Sequence, residues 1–194
     1  GPAVNVQSAC STSLLAVAQA VQSLQMFNSD MAIAGGVSVT LPQKRGYMHS
    51  AGGMASADGT CRPFDADASG TVFGDGAGVV ILKRVEDAVR AGDHIYAVIR
   101  GAGLNNDGAS KVGFTAPSAG GQADAIAAAL AVANVAPDSI GYVEAHGTAT
   151  PLGDPIEFNG LMSAFAGVTS RNFCRLGSIK ANVGHLDAAA GVTG

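Results

Sequence analysis

The stretch Ile140-Gly141-Tyr142-Val143-Glu144-Ala145-His146-Gly147-Thr148-Ala149-Thr150 passes from β-branched and aromatic residues straight into small and polar ones. It reads as a strand that runs into His146. Pro155 to about Phe165 then reads as a helix with proline in its first turn. Leu176-Gly177-Ser178-Ile179 reads as the next strand, and a helix is expected from near His185. Working outward, the same alternation recurs. Val4-Asn5-Val6 is a short strand candidate. Ser11 to about Gln25 is helical, with Leu14, Leu15, Val17, Ala18, Val21 and Leu24 leaving little polar surface, as in a buried helix. Met31 to Val39 and Gly78 to Leu82 read as buried strands, and the pair Gly35-Gly36 suggests a bulge or a close backbone approach. Residues 41–75 are rich in loop signals. Glu86 to Arg90 is a short helix closed by Ala91-Gly92-Asp93, Ile95 to Arg100 is a strand, and Gln122 to Asn134 is an alanine-rich helix stopped near Pro137. Strands alternating with helices imply an α/β protein with mainly parallel, buried strands. Its best division lies near Ala91-Gly92, giving residues 1–91 and 92–194.

Composition narrows the function. Of 194 residues, 47% are hydrophobic and only 13% charged, which argues against disorder. The 27 glycines are roughly twice the usual share but follow no collagen period. No unbroken apolar run reaches the length of a membrane span. A net charge of −4 with no basic run and 5% aromatics speaks against a nucleic-acid surface. Cys10, Cys61 and Cys174 stand far apart, without CxxC spacing, which fits a reducing, cytoplasmic setting. No close Cys/His pairs support a metal site. The chain opens without methionine and closes inside an apparent helix, so an internal piece of a longer protein is expected.

Three positions carry chemistry. Cys10 precedes a helix among Ala9, Ser11 and Ser13; a helix N-terminus favours thiolate over thiol, and its N–H groups can hold an oxyanion. A small buried core cysteine is the plainer reading of that position alone. His146 lies at a strand end, where open α/β sheets bind ligands, with Thr148 and Thr150 beside it. His185 follows Lys180-Ala181-Asn182-Val183-Gly184 at a similar junction. The segment Val4 to Cys10 and the segment Leu176 to His185 each place a reactive side chain between a strand end and a helix start, an internal likeness. Cys61 and Cys174 read as structural, and His49 and His94 as surface residues. Gly74-Asp75-Gly76-Ala77-Gly78 precedes a strand, unlike a dinucleotide loop. Asp154-Pro155-Ile156-Glu157 is explained by acidic residues in a first helical turn.

In Ser8-Ala9-Cys10-Ser11-Thr12-Ser13-Leu14, Glu144 to Thr150, and Gly177-Ser178-Ile179-Lys180-Ala181-Asn182-Val183-Gly184-His185, the chain resembles the β-ketoacyl synthase (ketosynthase) domains of modular type I polyketide synthases. Arg62-Pro63-Phe64-Asp65, Asn105-Asn106-Asp107-Gly108 and Gly153 to Glu157 fit as well, and the likeness covers nearly the whole chain. It implies a thiolase-like, layered αβαβα fold that is incomplete, with the N-terminal part and the extreme C-terminal part missing. Residues 1–91 would close the N-terminal half, with the nucleophilic Cys10, and residues 92–194 would open the C-terminal half, with the two histidines. The missing C-terminal loop would supply an oxyanion-hole N–H, so the piece alone is not expected to be a competent catalyst.

The resemblance further implies acyl transfer to Cys10 and decarboxylative Claisen condensation with a malonyl-type thioester on an acyl carrier protein. His146 and His185 would donate hydrogen bonds to the thioester oxygen, and Lys180 would keep His185 and the local charge in order. Thr148 and Thr150 would hold the phosphopantetheine arm, which the carrier protein delivers; no cofactor or metal is held by the chain. A homodimer is implied, with neither nucleic acid nor membrane as partner. Gln7-Ser8 and Ala149 depart from the Asp-Thr and Gly common in the family and are expected to tune substrate choice. The rival readings are a fatty-acid β-ketoacyl synthase, a thiolase acting on coenzyme A thioesters, and a non-catalytic ketosynthase-like module that binds carrier proteins.

Overall fold

A computed structural model describes residues 1–108 and 116–194. Contacts divide the chain into two compact units. The first comprises Gly1–Lys44, Phe73–Ile99 and Leu186–Thr193; the second comprises Arg45–Val72, Arg100–His185 and Gly194. No helix among the described residues is long and apolar enough to cross a membrane.

In the first unit a 3-10 turn at Ala9–Ser11 leads into helix α1, Thr12–Gln25. Strand β1, Met31–Ser38, pairs with β2, Gly76–Lys83, and α2 follows at Val85–Ala91, closed by Gly92 at φ 70°. The β1–β2 register runs without a slip from Met31 opposite Lys83 to Ser38 opposite Gly76. There is thus no bulge at Gly35-Gly36; the alternative expectation, a close approach, holds. A Cβ on Gly36 would stand 2.6 Å from the Ala188 carbonyl oxygen and 2.9 Å from Ser13 Cβ. Behind that contact, Ser13 is fully buried and its hydroxyl accepts the Val192 N–H at 3.0 Å. Ala18, Leu24, Ala34, Ala189 and Ala190 complete a core of mostly small residues. Arg84 closes its edge. Its guanidinium donates to the Leu24 and Ser29 carbonyls and to Asp87 and Asp30, and it lies 4.7 Å over the Phe27 ring.

Several expectations are corrected here. β1 and β2 are antiparallel. Parallel pairing needs a crossover, usually a helix, and residues 39–75 between them form none. Nor are these strands buried on both faces: Ile33 and Ile81, directly opposite each other, are 73% and 69% exposed. On α1, Leu14 is 57% exposed although apolar, while the other residues that the sequence reading placed inside are buried or half-buried. Val4–Val6 and Ile95–Arg100 have strand composition but no ladder partner among the described residues, and neither forms a strand.

The second unit holds α3, Ala119–Ala133, which Ser118 caps by accepting the Gly121 N–H. Strand β3, Tyr142–Glu144, is followed by α4, Gly153–Ala164, and by β4, Arg175–Gly177, which pairs parallel to β3. The strand–helix–strand order read around His146 is therefore present, and α4 packs on α3. α5 lies at Lys180–Val183, and the helix expected near His185 begins two residues after that histidine, as a 3-10 turn at Asp187–Ala189 that runs directly into α6 at Ala190–Thr193 in the first unit.

Gly36→Val should cost the chain about 1–3 kcal/mol, because the space between β1 and the Ala188 carbonyl is already filled. Urea unfolding of wild type and variant measures it; equal midpoints would mean that the approach is not tight.

Candidate active site

The histidine loop is built where the β3–β4 ladder ends. The last ladder bond runs from the Ala145 N–H to the Gly177 carbonyl at 2.8 Å. Beyond it the chain turns sharply, with Gly147 at φ 45° and Ala149 at φ 60°. A side chain on Gly147 would strike Ser178, whose Cβ would be 2.7 Å away, so this turn depends on glycine. Peptide N–H groups leaving a ladder need new acceptors when buried. Two carboxylates on α4 provide them. Glu157 accepts the His146 N–H at 2.6 Å and the Gly147 N–H at 2.8 Å, one on each oxygen. Asp154 accepts the Ala149 N–H at 3.0 Å and the Phe64 N–H at 2.6 Å. The Ala149 carbonyl in turn accepts the Gly70 N–H at 2.8 Å.

Asp154 and Glu157 are thus more than acidic residues of a first helical turn, as sequence reasoning had them: they hold the loop that carries His146. Burial pushes both carboxyls above their ordinary pKa, and the donated N–H bonds oppose that push.

The second histidine comes from the β4–α5 junction. Glu144, at the end of β3, accepts the Ile179 N–H at 2.6 Å. Lys180 opens α5 and is buried, and His185 is fully buried with its backbone N–H donating to the Val72 carbonyl at 2.7 Å. The two imidazoles meet edge to face, with centroids 5.3 Å apart and planes at 89°. His146 itself is exposed. Its pKa is lowered from 6.5 to about 4, first by desolvation, then by the Lys180 charge and by His185. His146 is therefore neutral at pH 7 and can donate a hydrogen bond without carrying charge. Next to it, the Thr148 and Thr150 hydroxyls lie 3.1 Å apart, and Thr150 also accepts the Gly153 N–H. Thr150 lines a cleft of about 550 Å³ with Phe64, Pro151, Phe158 and Leu176.

Cys10 stands in the first unit, half-buried, in the turn before α1. Its neighbour Ala9 has φ 46°, a strained value for alanine. Hydroxyls brace that turn: Thr12 donates to the Ala9 carbonyl at 2.7 Å and accepts the Ser8 N–H at 2.9 Å, and Ser11 donates to the Ser8 carbonyl. Cys61 is buried beside the Thr71 hydroxyl, and Cys174 is half-buried. His49 and His94 are exposed, as expected. Sequence reasoning brought out His146, His185 and Lys180, which the fold gathers in one unit. It missed Glu144, Asp154 and Glu157 as the groups that hold their backbones.

Two family models match the chain: "Beta-ketoacyl synthase, N-terminal domain" over residues 1–88 and "Beta-ketoacyl synthase, C-terminal domain" over residues 96–194. Among curated proteins, it is 54% identical to a phenolphthiocerol/phthiocerol polyketide synthase component of Mycobacterium tuberculosis, over the whole chain and 13% of that protein. It is 46% identical to the polyketide synthase PksN of Bacillus subtilis, again over the whole chain but 4% of that protein. Ketosynthase twelve of the bacillaene polyketide synthase from Bacillus amyloliquefaciens superposes with a TM-score of 0.96 at 47% identity, covering all of this chain and 35% of that one. The module 6 ketosynthase of the bacillaene synthase from Bacillus subtilis gives 0.91 at 44%, covering 99% and 34%. The chain thus spans a small share of the curated relatives and about a third of the solved domains.

His146 should titrate with a midpoint of about 4, read from its imidazole resonances by NMR. The sign of the linked stability follows. The unfolded ring binds its proton near pH 6.5 and the folded ring only near 4, so the His146 contribution is complete above 6.5 and is lost as pH falls through 4. Asp154 and Glu157, with raised pKa values, contribute the opposite slope, so the residue-specific titration is the clean measurement. Lys180→Met should move the His146 midpoint upward; an unmoved midpoint would remove the ammonium from the account.

Proposed function

Since this chain belongs to the beta-ketoacyl synthase family and has the thiolase-like fold of the ketosynthases it matches, we propose that it serves the condensation step of a modular polyketide synthase. The observation that carries this reading is the edge-to-face pair of His146 and His185, with His146 held neutral beside the buried Lys180. Two imidazoles at that spacing suit a task that needs hydrogen-bond donors at a developing negative charge.

The reaction has two stages. In the first, the Cys10 thiolate attacks the thioester carbonyl of an acyl chain borne on a carrier protein's phosphopantetheine arm. The carbon–sulfur bond to the carrier arm breaks, the arm leaves as thiolate and takes from water the proton that Cys10 had given up, and the acyl chain becomes a thioester on Cys10. The braced, strained turn before α1 supports Cys10 as a presented nucleophile. In the second stage, a malonyl-type thioester arrives on a carrier protein. His146 and His185 donate hydrogen bonds to its thioester oxygen, and the carboxylate departs as carbon dioxide, leaving an enolate. The enolate carbon attacks the acyl–Cys10 carbonyl, the carbon–sulfur bond breaks, and Cys10 returns as thiolate while the β-ketoacyl product stays on the carrier. Lys180 helps to keep His146 neutral by disfavouring a second positive charge nearby. Thr148 and Thr150 take the arm, with Thr150 on the wall of the cleft. An acyltransferase of the β-ketoacyl-[acyl-carrier-protein] synthase type, a carrier-protein partner, a homodimer and a cytoplasmic setting belong to the same reading. So does a division of the chain near Ala91-Gly92 into a cysteine-bearing and a histidine-bearing half.

In the synthase carrying this sequence, an acyl carrier protein should label wild type and leave Cys10→Ala unlabelled, as read by mass spectrometry. His146→Ala should still accept the acyl chain but lose condensation by about 10²–10³-fold, the range for removing one donor to a developing oxyanion. Absence of labelling in wild type with every acyl chain offered would favour a module that only binds carrier proteins.

A further inference from the structure

Glu144 has a place in the fold that the proposed chemistry does not use. It ends β3 two residues before His146, and both its oxygens are engaged. One accepts the Ile179 N–H at 2.6 Å; the other accepts the Tyr142 hydroxyl. Tyr142 and Glu144 are two apart on a strand, so both side chains leave the same face. Gly177, the register partner of Glu144, makes room for them. A Cβ there would stand 2.6 Å from the Tyr142 hydroxyl oxygen and 3.3 Å from its ring carbons. Ile179 directly precedes α5, whose first residue is the buried Lys180.

We infer that Glu144, steadied by Tyr142, is a positioning residue that fixes the start of the Lys180-bearing helix against the strand end that carries His146. The Ile179 N–H lies at a helix start, where peptide donors lack intrahelical partners. A carboxylate is the strongest acceptor available there, and a charge-assisted bond is roughly twice as strong as a neutral one. Lys180 acts on His146 through space, and such an interaction weakens as the charges separate. A strut between the two backbones therefore sets how strongly the ammonium is felt at the ring. Glu144 touches no reacting atom in this scheme and works through Lys180.

The structural arm of the test does not depend on the activity; only the kinetic arm rests on the ketosynthase reading. NMR titration of His146 is compared in wild type, Glu144→Gln, Glu144→Ala and Tyr142→Phe, with Lys180→Met as the yardstick. Glu144→Ala should raise the midpoint in the direction of Lys180→Met. Glu144→Gln should stay near wild type, because its carbonyl oxygen can take the Ile179 N–H and its amide can donate to the Tyr142 oxygen. Tyr142→Phe should move the midpoint upward by less. In the synthase, Glu144→Ala should lower kcat for condensation about 10- to 100-fold, as a small misplacement does, with KM for the extender unchanged. Glu144→Gln should restore most of it. A folded Glu144→Ala with an unmoved midpoint overturns the proposal. So does a Glu144→Gln that shifts as far as Glu144→Ala, since the charge and not the bond would then be responsible. Should Glu144→Ala not fold, an unmoved midpoint in Tyr142→Phe overturns it equally. A wild type that folds and titrates as described but does not condense counts against the ketosynthase reading and leaves the titration to decide the strut.

Discussion

The bidentate acceptance of the His146 and Gly147 peptide N–H groups by Glu157 is the constraint from which the candidate site follows. A strand end is a place where backbone donors lose their ladder. Water would satisfy them in an open loop, at the cost of a loop free to move. Here a helix that follows a few residues later returns two carboxylates to the same turn, and Asp154 reaches on to Phe64 as well. The backbone from which the His146 side chain leaves is then held at two consecutive peptides. Burying those carboxylates raises their pKa values, a desolvation penalty that the donated N–H bonds partly offset.

The turn that carries Cys10 is solved by different means. There the acceptors and donors are hydroxyls of Ser8, Ser11 and Thr12, all within one turn of the cysteine, and the strain sits on Ala9. Hydroxyls add no net charge beside a thiol. Carboxylates around the histidines do add charge; Glu157 accepts two peptide N–H groups and also feels the Lys180 ammonium, and the same ammonium acts on His146. Each unit thus braces its candidate residue through nearby backbone.

How much of this could be read in advance depends on how local each signal is. The strand–turn–helix order around His146 was legible because Val143, Gly147 and Pro155 each act on their own stretch of backbone. The antiparallel pairing of β1 with β2 was not, because it depends on the return path through residues 39–75, which has no periodic signature. Val4–Val6 and Ile95–Arg100 carry strand composition, but a ladder is a property of two segments. The α3 start was missed by three residues, since its first turn is held by the Ser118 side-chain cap rather than by apolar periodicity. Cys10, His146 and His185 were singled out by their places at helix starts and strand ends, and the roles expected of them and of Lys180 came from motif likeness. Asp154 and Glu157 were passed over because an acidic residue early in a helix looks the same whether it serves its own helix or a neighbouring loop, and Glu144 because a carboxylate at a strand end shows no partner until the next strand is placed beside it.

The carboxylates that grip the His146 turn lie within eleven residues of it in the chain, on the very next helix. This portion therefore travels with its own scaffolding. Chimeras that exchange residues 142–164 as one block keep donor and acceptor from the same parent. A crossover placed between His146 and Glu157 takes the loop from one parent and its grip from another, and any mismatch falls on the bonds between the Glu157 and Asp154 carboxylates and the loop's peptide N–H groups.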